Sequence, residues 1–581
     1  MESQKRRPVP PVRIAFAGAT EREQIYCARH RVYALELGQH HANPQQQLRD
    51  ALDDFNCYIV ARRGTELLGF VSVTPPGREY SIDKYFQRAS LPFRVDGQLY
   101  EVRLLTVPSS HRGRIVAPLL MYAAFRYIES QKGSHIAAIG RREVLDLYLR
   151  FGFERCGLET KAGAVTYDLL TASTDTIRRA LESYERHLRR IERQIAWELP
   201  FSFRRAVECE HGGSFWNSVG DDFASLGKAR EIISADVLDA WFPPAPSVIA
   251  ALEKDLPMLL RTSPPTRCEG MVRAIASARG LNRECILPAA GSSELIFLAF
   301  RRWLTPQSRA LVLDPTYGEY AHVLANVVGC QVDSLPLCRA NQYRIDVAEL
   351  ARRLAAGYDI VVLVNPNSPT GVLLAGSELE PVLAEAPSKT RVWIDETYIE
   401  YAGYQHSVEQ IAARSAGVFV CKSMSKGYAL SGLRAAYLVG PPAAIQDLRQ
   451  LMPPWSVALP AQVAVVHALA ASDYYQERYC ETRILREQFA AELQGQFGFE
   501  VVPSDSNFLL CHLPANSPPA AEICRRSEQG GVFLRDAGHI SARLGERCIR
   551  IAVKDATGNQ RVLEVLGSIF AMAERACVTP S

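Results

Sequence analysis

The most constraining stretch of this chain is Gly417-Val-Phe-Val-Cys-Lys-Ser-Met-Ser-Lys-Gly-Tyr-Ala-Leu-Ser-Gly-Leu-Arg434. Gly417 to Cys421 reads as a short strand buried on both faces. Ser423 to Ser425 is expected to be the loop leaving its C-terminal end, where open parallel sheets keep their ligand sites. Lys426 sits at that mouth, with hydroxyls one and three residues before it and Arg434 eight after it. One loop thus offers an amine nucleophile, hydrogen-bond donors and a fixed cation for a phosphate. Residues 311–317, 361–371 and 392–398 also run from an apolar strand into a polar turn, with helical patterns between them. That alternation predicts an α/β fold with a mainly parallel sheet covered on both faces and a smaller C-terminal subdomain.

At 581 residues the chain exceeds one ordinary core, so two or three domains are expected. A hydrophobic fraction of 48% and a charged fraction of 22% are those of soluble globular protein, and a net charge of +3 argues against a nucleic-acid partner. The 14 cysteines form no C-x-x-C pair, which fits reduced thiols in the cytoplasm better than a disulfide frame or a metal site. No apolar run approaches the roughly 20 residues needed to span a membrane, and the N-terminus lacks the apolar core of a signal peptide.

Residues 1–12 are basic and proline-rich, and are expected to be a loose tail. Val12 to Phe16 reads as a strand, Glu21 to Leu37 as a helix, and 56–62 with 67–74 as a hairpin. A strand over Leu99 to Val107 then meets the basic loop Pro108-Ser-Ser-His-Arg-Gly-Arg-Ile-Val-Ala-Pro118 and a helix through Ile128. Strand, glycine-bearing basic loop and helix together suit a pyrophosphate, because N–H groups at the helix start face the anion. With Tyr148-Leu-Arg-Phe-Gly-Phe153, Arg31-Val-Tyr33, Asp53-Asp54 and Tyr100-Glu-Val-Arg103, residues 12–170 resemble the GCN5-related N-acetyltransferase (GNAT) superfamily, in its autoinducer-synthase and N-acyl amino acid synthase branch. The resemblance implies acyl-coenzyme A, or another nucleotide, at the loop and an amino group as acceptor. Ile115 stands where that loop expects glycine, and Ser72 where the autoinducer synthases carry arginine, so ordinary acetyl transfer is expected to be weak or absent. The rival is a docking or structural module. Thr174 to Trp197 carries Ile177, Leu181, Tyr184, Leu188, Ile191 and Ile195 at helical spacing and is expected to be an amphipathic helix within a linker over 171–234. A second domain is expected over 235–577.

Gly291, Ser292 and Ser293 open a helix running to about Trp303, so N–H groups, hydroxyls and the helix dipole can address one dianion; an ordinary serine cap has the same look. Tyr317 suits stacking on a flat heteroaromatic ring. Asp395 ends a strand, where a carboxylate beside a ring nitrogen favours its protonated form, and Tyr398 lies three residues on. An amine, a phosphate cradle, a stacking ring and a carboxylate together point to pyridoxal phosphate (PLP).

The order of these segments over 236–575 resembles fold-type-I PLP enzymes, the class I/II aminotransferases, and within them the histidinol-phosphate aminotransferase and threonine-phosphate decarboxylase group. The resemblance implies Lys426 as Schiff-base lysine and general acid/base, Asp395 on the pyridine nitrogen, Tyr317 stacked, and Tyr398 on the 3-hydroxyl. It also implies a phosphate held by Ser292, Ser293, Ser423 and Arg434, and a homodimer that builds its site across the subunit interface. Arg550, in Cys548-Ile-Arg-Ile-Ala-Val553, is implied to bind the carboxylate or phosphate of a small amino-acid-like substrate, with Arg535 a second candidate. Two positions depart from the pattern. Ser368 replaces an asparagine that touches the 3-hydroxyl, and Ser263 a tyrosine that reaches the partner subunit's phosphate. Transamination is the leading expectation. The alternative is elimination, replacement or carbon–carbon bond formation on an amino acid with a leaving group, such as S-adenosylmethionine.

Overall fold

The computed structural model describes residues 11–578 except 113–114, 183, 193, 205–210, 221–222 and 224, with the backbone alone at 182, 185, 186, 189 and 572–578. Residues 1–10 of the expected tail, and Gly113 and Arg114 of the basic loop, lie outside the described residues. The chain divides into two compact units, Met1–Ala206 and Val207–Ser581.

The first unit is built on an eight-stranded sheet of β1 (Val12–Phe16), β2 (Cys57–Arg63), β3 (Glu66–Thr74), β4 (Leu99–Thr106), β5 (His135–Arg141), β6 (Glu154–Ala162), β7 (Val165–Ser173) and β8 (Ile195–Trp197). Its order is β6-β7-β5-β4-β3-β2-β1-β8. The parallel pairing of β4 with β5 runs only from Leu99 and His135 to Val102 and Ala138. Beyond it β4 bulges, with Leu104 at φ +54°, and β5 pairs with β7 alone. Helix Val116–Ser130 lies on the sheet through Leu119, Leu120, Ala123 and Ile128. It comes so close at Gly69 that a Cβ there would sit 2.8 Å from the Thr106 carbonyl and 3.1 Å from Val116 and Leu120.

The helix expected over Thr174 to Trp197 is corrected in its last part. It forms as two pieces, Thr174–Glu182 and Glu185–Glu192, and Ile195–Trp197 is instead β8, paired in parallel with Val12 to Ile14. Trp197 packs edge-on against Phe203, ring centroids 4.9 Å apart. Three apolar residues are too few for periodicity to separate strand from helix, and here an open sheet edge decides.

The second unit carries β9 (Ile233–Ser234) and then seven strands: β10 (Ile286–Ala289), β11 (Arg309–Asp314), β12 (Gln331–Pro336), β13 (Ile360–Val364), β14 (Arg391–Asp395), β15 (Val418–Ser423) and β16 (Ala436–Val439). These seven order as β10-β16-β15-β14-β13-β11-β12, with β16 alone running against its neighbours. Leu311, Val361, Val392 and Val420 enter one core, and Val312, Val362, Trp393 and Phe419 the other. Both faces are dry, which is why these strands read as unbroken apolar runs. A smaller antiparallel sheet follows, of β17 (Glu500–Val501), β18 (Phe508–His512), β20 (Arg535–Asp536) and β21 (Cys548–Ala552), while β19 (Val532–Phe533) pairs with β9.

The expected loop at Ser423 to Ser425 is also corrected. Ser423 is the last residue of β15 and caps a single helical turn, Met424–Gly427, by accepting the Ser425 N–H at 3.2 Å, so Lys426 stands on that turn.

One residue before Ser423, Lys422 is 1% exposed, with Nζ 2.8 Å from Glu400 and 3.5 Å from Glu396. Arg279 joins it, 3.0 Å from Glu400 and 3.8 Å from Glu409, and its guanidinium donates to the phenols of Tyr428 and Tyr437. Burial pushes the Glu396 carboxyl up. Removing one member of such a set leaves buried charge uncompensated. Lys422→Met is therefore expected to lower stability by about 3–5 kcal/mol in chemical denaturation, and Lys422→Arg by clearly less.

Candidate active site

Asp395 closes β14 at 4% exposure, and both oxygens are occupied: Oδ2 accepts from the Tyr320 hydroxyl at 2.6 Å, and Oδ1 from the Thr397 N–H at 2.9 Å and hydroxyl at 2.6 Å. The Tyr320 oxygen in turn accepts the Trp393 indole N–H at 2.9 Å. Burial pushes the Asp395 carboxyl up, and these donors work against that shift. Tyr320 was not foreseen, although it follows Tyr317 by one helical turn.

Tyr317 lies just past β11, its hydroxyl donating to Glu319 at 2.6 Å. His211 Nε2 is 2.9 Å from the same hydroxyl and comes from a segment whose sequence carries no periodic signal. The Tyr317 ring meets Tyr320 edge-on, centroids 5.9 Å apart. Burial, then Glu319, pushes the Tyr317 phenol up.

Past the end of β13, the Ser368 hydroxyl lies 3.4 Å from Arg550 Nη1 and hydrogen-bonds Tyr398, which is buried edge-on to Phe508. Arg550, Ser368 and Tyr398 thus form one connected group. Arg550 also donates to the Asp236 carbonyl at 2.8 Å. Its buried Nε has no hydrogen-bond partner among the described residues. Burial pulls this guanidinium down to about 10. Arg535 is its cross-strand neighbour on β20, and its charge adds to that shift.

On β15's side of the site, Gly291 has φ +92°, and a Cβ there would fall 2.6 Å from Arg434 Nη2. Only glycine lets the guanidinium approach the start of helix Ser292–Trp303 so closely. Arg434, itself in the left-handed region at φ +53°, donates to the Ser425 hydroxyl at 3.3 Å and the Ser431 carbonyl at 3.2 Å. The Ser293 hydroxyl is given to Glu319. Among the described residues Ser292 makes no side-chain hydrogen bond, and the Ser423 hydroxyl is taken by its capping bond. Lys426 points its amine at Asp239, Nζ to Oδ1 2.6 Å, and burial lowers its pKa against that carboxylate. Asp239 was missed, because it lies in a loop, Val237 to Ala245, without a motif of its own.

A buried carboxylate, a cation at a helix start across a glycine, a lysine and an orphaned guanidinium nitrogen are a donor set that fits PLP and an anionic substrate. Residues 238–567 match the aminotransferase class I and II family, and residues 23–153 the acetyltransferase (GNAT) family. The chain belongs to the class I and II aminotransferases. It is a PLP-dependent transferase with a GNAT domain at its N-terminal end. Its relatives include the histidinol-phosphate aminotransferase of Roseiflexus castenholzii, 30% identical over 345 residues, covering 58% of this chain and 90% of that protein. Another is that of Moorella thermoacetica, 28% identical over 334 residues, covering 56% and 83%. Among solved structures, the histidinol-phosphate aminotransferase from Clostridium acetobutylicum superposes with a TM-score of 0.53 at 22% identity, covering 59% of this chain and 99% of that one. The Sinorhizobium meliloti enzyme in complex with pyridoxal-5'-phosphate gives 0.53 at 20%, covering 58% and 90%. At such identities the likeness carries the fold. Among the described residues of this aminotransferase, no cluster of side chains could hold a metal ion, and no helix is long and apolar enough to cross a membrane.

Proposed function

We propose that this aminotransferase moves the amino group of a small amino acid whose anionic end is taken by Arg550, with Lys426 as the proton-transferring base. The observation that carries the reading is Arg550 itself, a buried guanidinium with an unused Nε, joined through Ser368 to Tyr398. PLP, when bound, supplies an aldehyde and an electron-accepting ring. Arg434 and the N–H groups after Gly291 would hold its phosphate, Asp395 would keep its ring nitrogen protonated, and Tyr398 would donate to its 3-hydroxyl. Tyr320 and Thr397 pin Asp395 so that the carboxylate stays in place as charge builds beside it. Burial lowers the Lys426 pKa, which enlarges the neutral fraction able to take a proton from the substrate's α-carbon. Arg550 orients that carbon by a bidentate grip that a lysine cannot reproduce.

The GNAT unit encloses a cavity of about 480 Å³ where β4 and β5 part, lined by Tyr33, Tyr148, Arg103 and Arg141 among others. We read it as an acyl-coenzyme A site with weak or no acetyl transfer. Asp50 is committed to Arg103 at 2.5 Å and Arg29 at 3.1 Å. Glu101 is fully buried beneath the N–H groups of Ser81 and Ile82 and the Ser81 hydroxyl. Neither carboxylate is free to serve as a base. Ile115, for its part, is 44% exposed. A homodimer belongs to the same reading, supported by Ile249, Leu256 and Leu260, which lie exposed along helix Pro246–Arg261.

Lys426→Ala is expected to lose the visible absorbance of the cofactor and all turnover while remaining folded. Arg550→Lys is expected to keep the cofactor but lose about tenfold or more in kcat/KM, about 1.4 kcal/mol, in steady-state assays on a panel of amino acids. Keto-acid release supports transamination, whereas loss of the substrate's side-chain substituent would assign elimination or replacement instead. Calorimetry is expected to detect coenzyme A binding to the chain with little thiol release from acetyl-coenzyme A; rapid release would make the GNAT unit a working acetyltransferase. Leu256→Asp combined with Leu260→Asp is expected to convert dimers to monomers in sedimentation.

A further inference from the structure

Asp239 is placed with more care than a loop carboxylate needs. Its neighbour Leu238 gives its carbonyl to the buried Asn507 amide at 3.0 Å, and Trp241 donates its indole N–H to Thr482 at 2.9 Å, so the backbone is pinned on both sides. Oδ1 accepts from the Lys426 ammonium at 2.6 Å and from the Ser431 hydroxyl at 2.6 Å. Oδ2 has no hydrogen bond among the described residues, and the side chain is 43% exposed, so a small molecule can reach it.

The surroundings of Lys426 are otherwise cationic. The charges of Arg550 and Arg434 bear on its amine, and Lys554, just past β21, is a third cation that Asp239 and Asp236 face. Burial pulls Lys554 down to about 8. The phenol of Tyr398 also feels Asp239. Among the described residues, Asp239 is the carboxylate in hydrogen-bond contact with Lys426. It therefore sits where one ammonium group is needed and several positive charges oppose it.

We propose that Asp239 is the ammonium-docking residue of this site, holding the Lys426 amine in the cofactor-free protein and the substrate's α-ammonium once Lys426 is engaged by the cofactor. The inference rests on the reading of Lys426 given above. With its nitrogen committed to the cofactor, Lys426 no longer offers Oδ1 an ammonium, and an incoming amino acid brings the same group to the same place. Arg550 at the anion and Asp239 at the ammonium then hold the substrate at two points, which fixes its orientation better than either alone. The class of ligand this selects is a zwitterionic amino acid rather than a neutral amide or an N-acylated one.

The first test needs no cofactor. Trace acylation of the cofactor-free chain with acetic anhydride across pH, read at Lys426 by peptide mass spectrometry, reports the midpoint at which its amine becomes neutral. Asp239→Asn is expected to move that midpoint down by about one unit, which is about tenfold more labelling at pH values below it. Asp239→Glu is expected to restore most of the wild-type profile, and Ser431→Ala to shift it less than Asp239→Asn. In the PLP-loaded enzyme, Asp239→Asn is expected to raise KM for the amino donor about tenfold with kcat within about threefold and the visible absorbance retained. An unchanged labelling midpoint, or an unchanged KM, overturns the proposal. A wild-type chain that gains no visible absorbance with PLP would overturn the Lys426 reading instead, and the labelling experiment would still decide whether Asp239 holds the lysine.

Discussion

The site depends on one constraint, the parallel register of four strands. Val312 lies level with Val362, Val364 with Asp395, and Asp395 with Cys421, so β11, β13, β14 and β15 finish along one line. Segments from separate parts of the chain therefore deliver Tyr317, Ser368, Asp395 and Lys426 to one edge. Side chains alternate across a strand, so a slip of one residue would turn Asp395 to the opposite face of the sheet and put Ile394 in its place. Dry packing on both faces makes that slip costly, because every buried apolar contact of the strand would change sides with it.

The same alternation separates two polar systems that share a strand. On β15, Lys422 turns into the cluster of Glu396, Glu400, Glu409 and Arg279, whereas Ser423, next along the chain, caps the turn that carries Lys426. Further contacts tie this cluster to the lysine turn: the Tyr401 hydroxyl donates to the Lys426 carbonyl at 2.8 Å, and Tyr479 to the Gly427 carbonyl at 3.0 Å. The amine is carried on a turn held at its carbonyls. Its backbone is fixed by buried donors.

In the GNAT unit, charges that a catalytic reading would draw on are spent on structure. Arg29 spans Asp53 and Asp50, Arg103 holds Asp50, and Glu101 gathers the turn at Ser81. The parting of β4 and β5 survives as a cavity independent of those side chains, because it comes from the bulge at Leu104 and from the shift of β5 onto β7.

Much of this was legible in the chain itself. Unbroken apolar runs ending in Asp-Pro-Thr-Tyr, Asn-Pro-Asn-Ser-Pro-Thr-Gly, Asp-Glu-Thr-Tyr and Ser-Met-Ser-Lys announce a parallel sheet and its mouth, since local pattern and strand burial obey the same period. The family of both units was legible for the same reason. The helix over 174–197 misled, because an amphipathic stripe does not say whether its last three residues will meet an open sheet edge. Tyr320, His211 and Asp239 were invisible, each lying in a helix turn or loop whose sequence carries no signal of what it will face. By itself the sequence determined the period of each element and the residue types at the strand ends. Only the tertiary structure decided which carboxylate meets the lysine and which guanidinium nitrogen is left without a partner, because those are distances between segments far apart in the chain, fixed by packing alone.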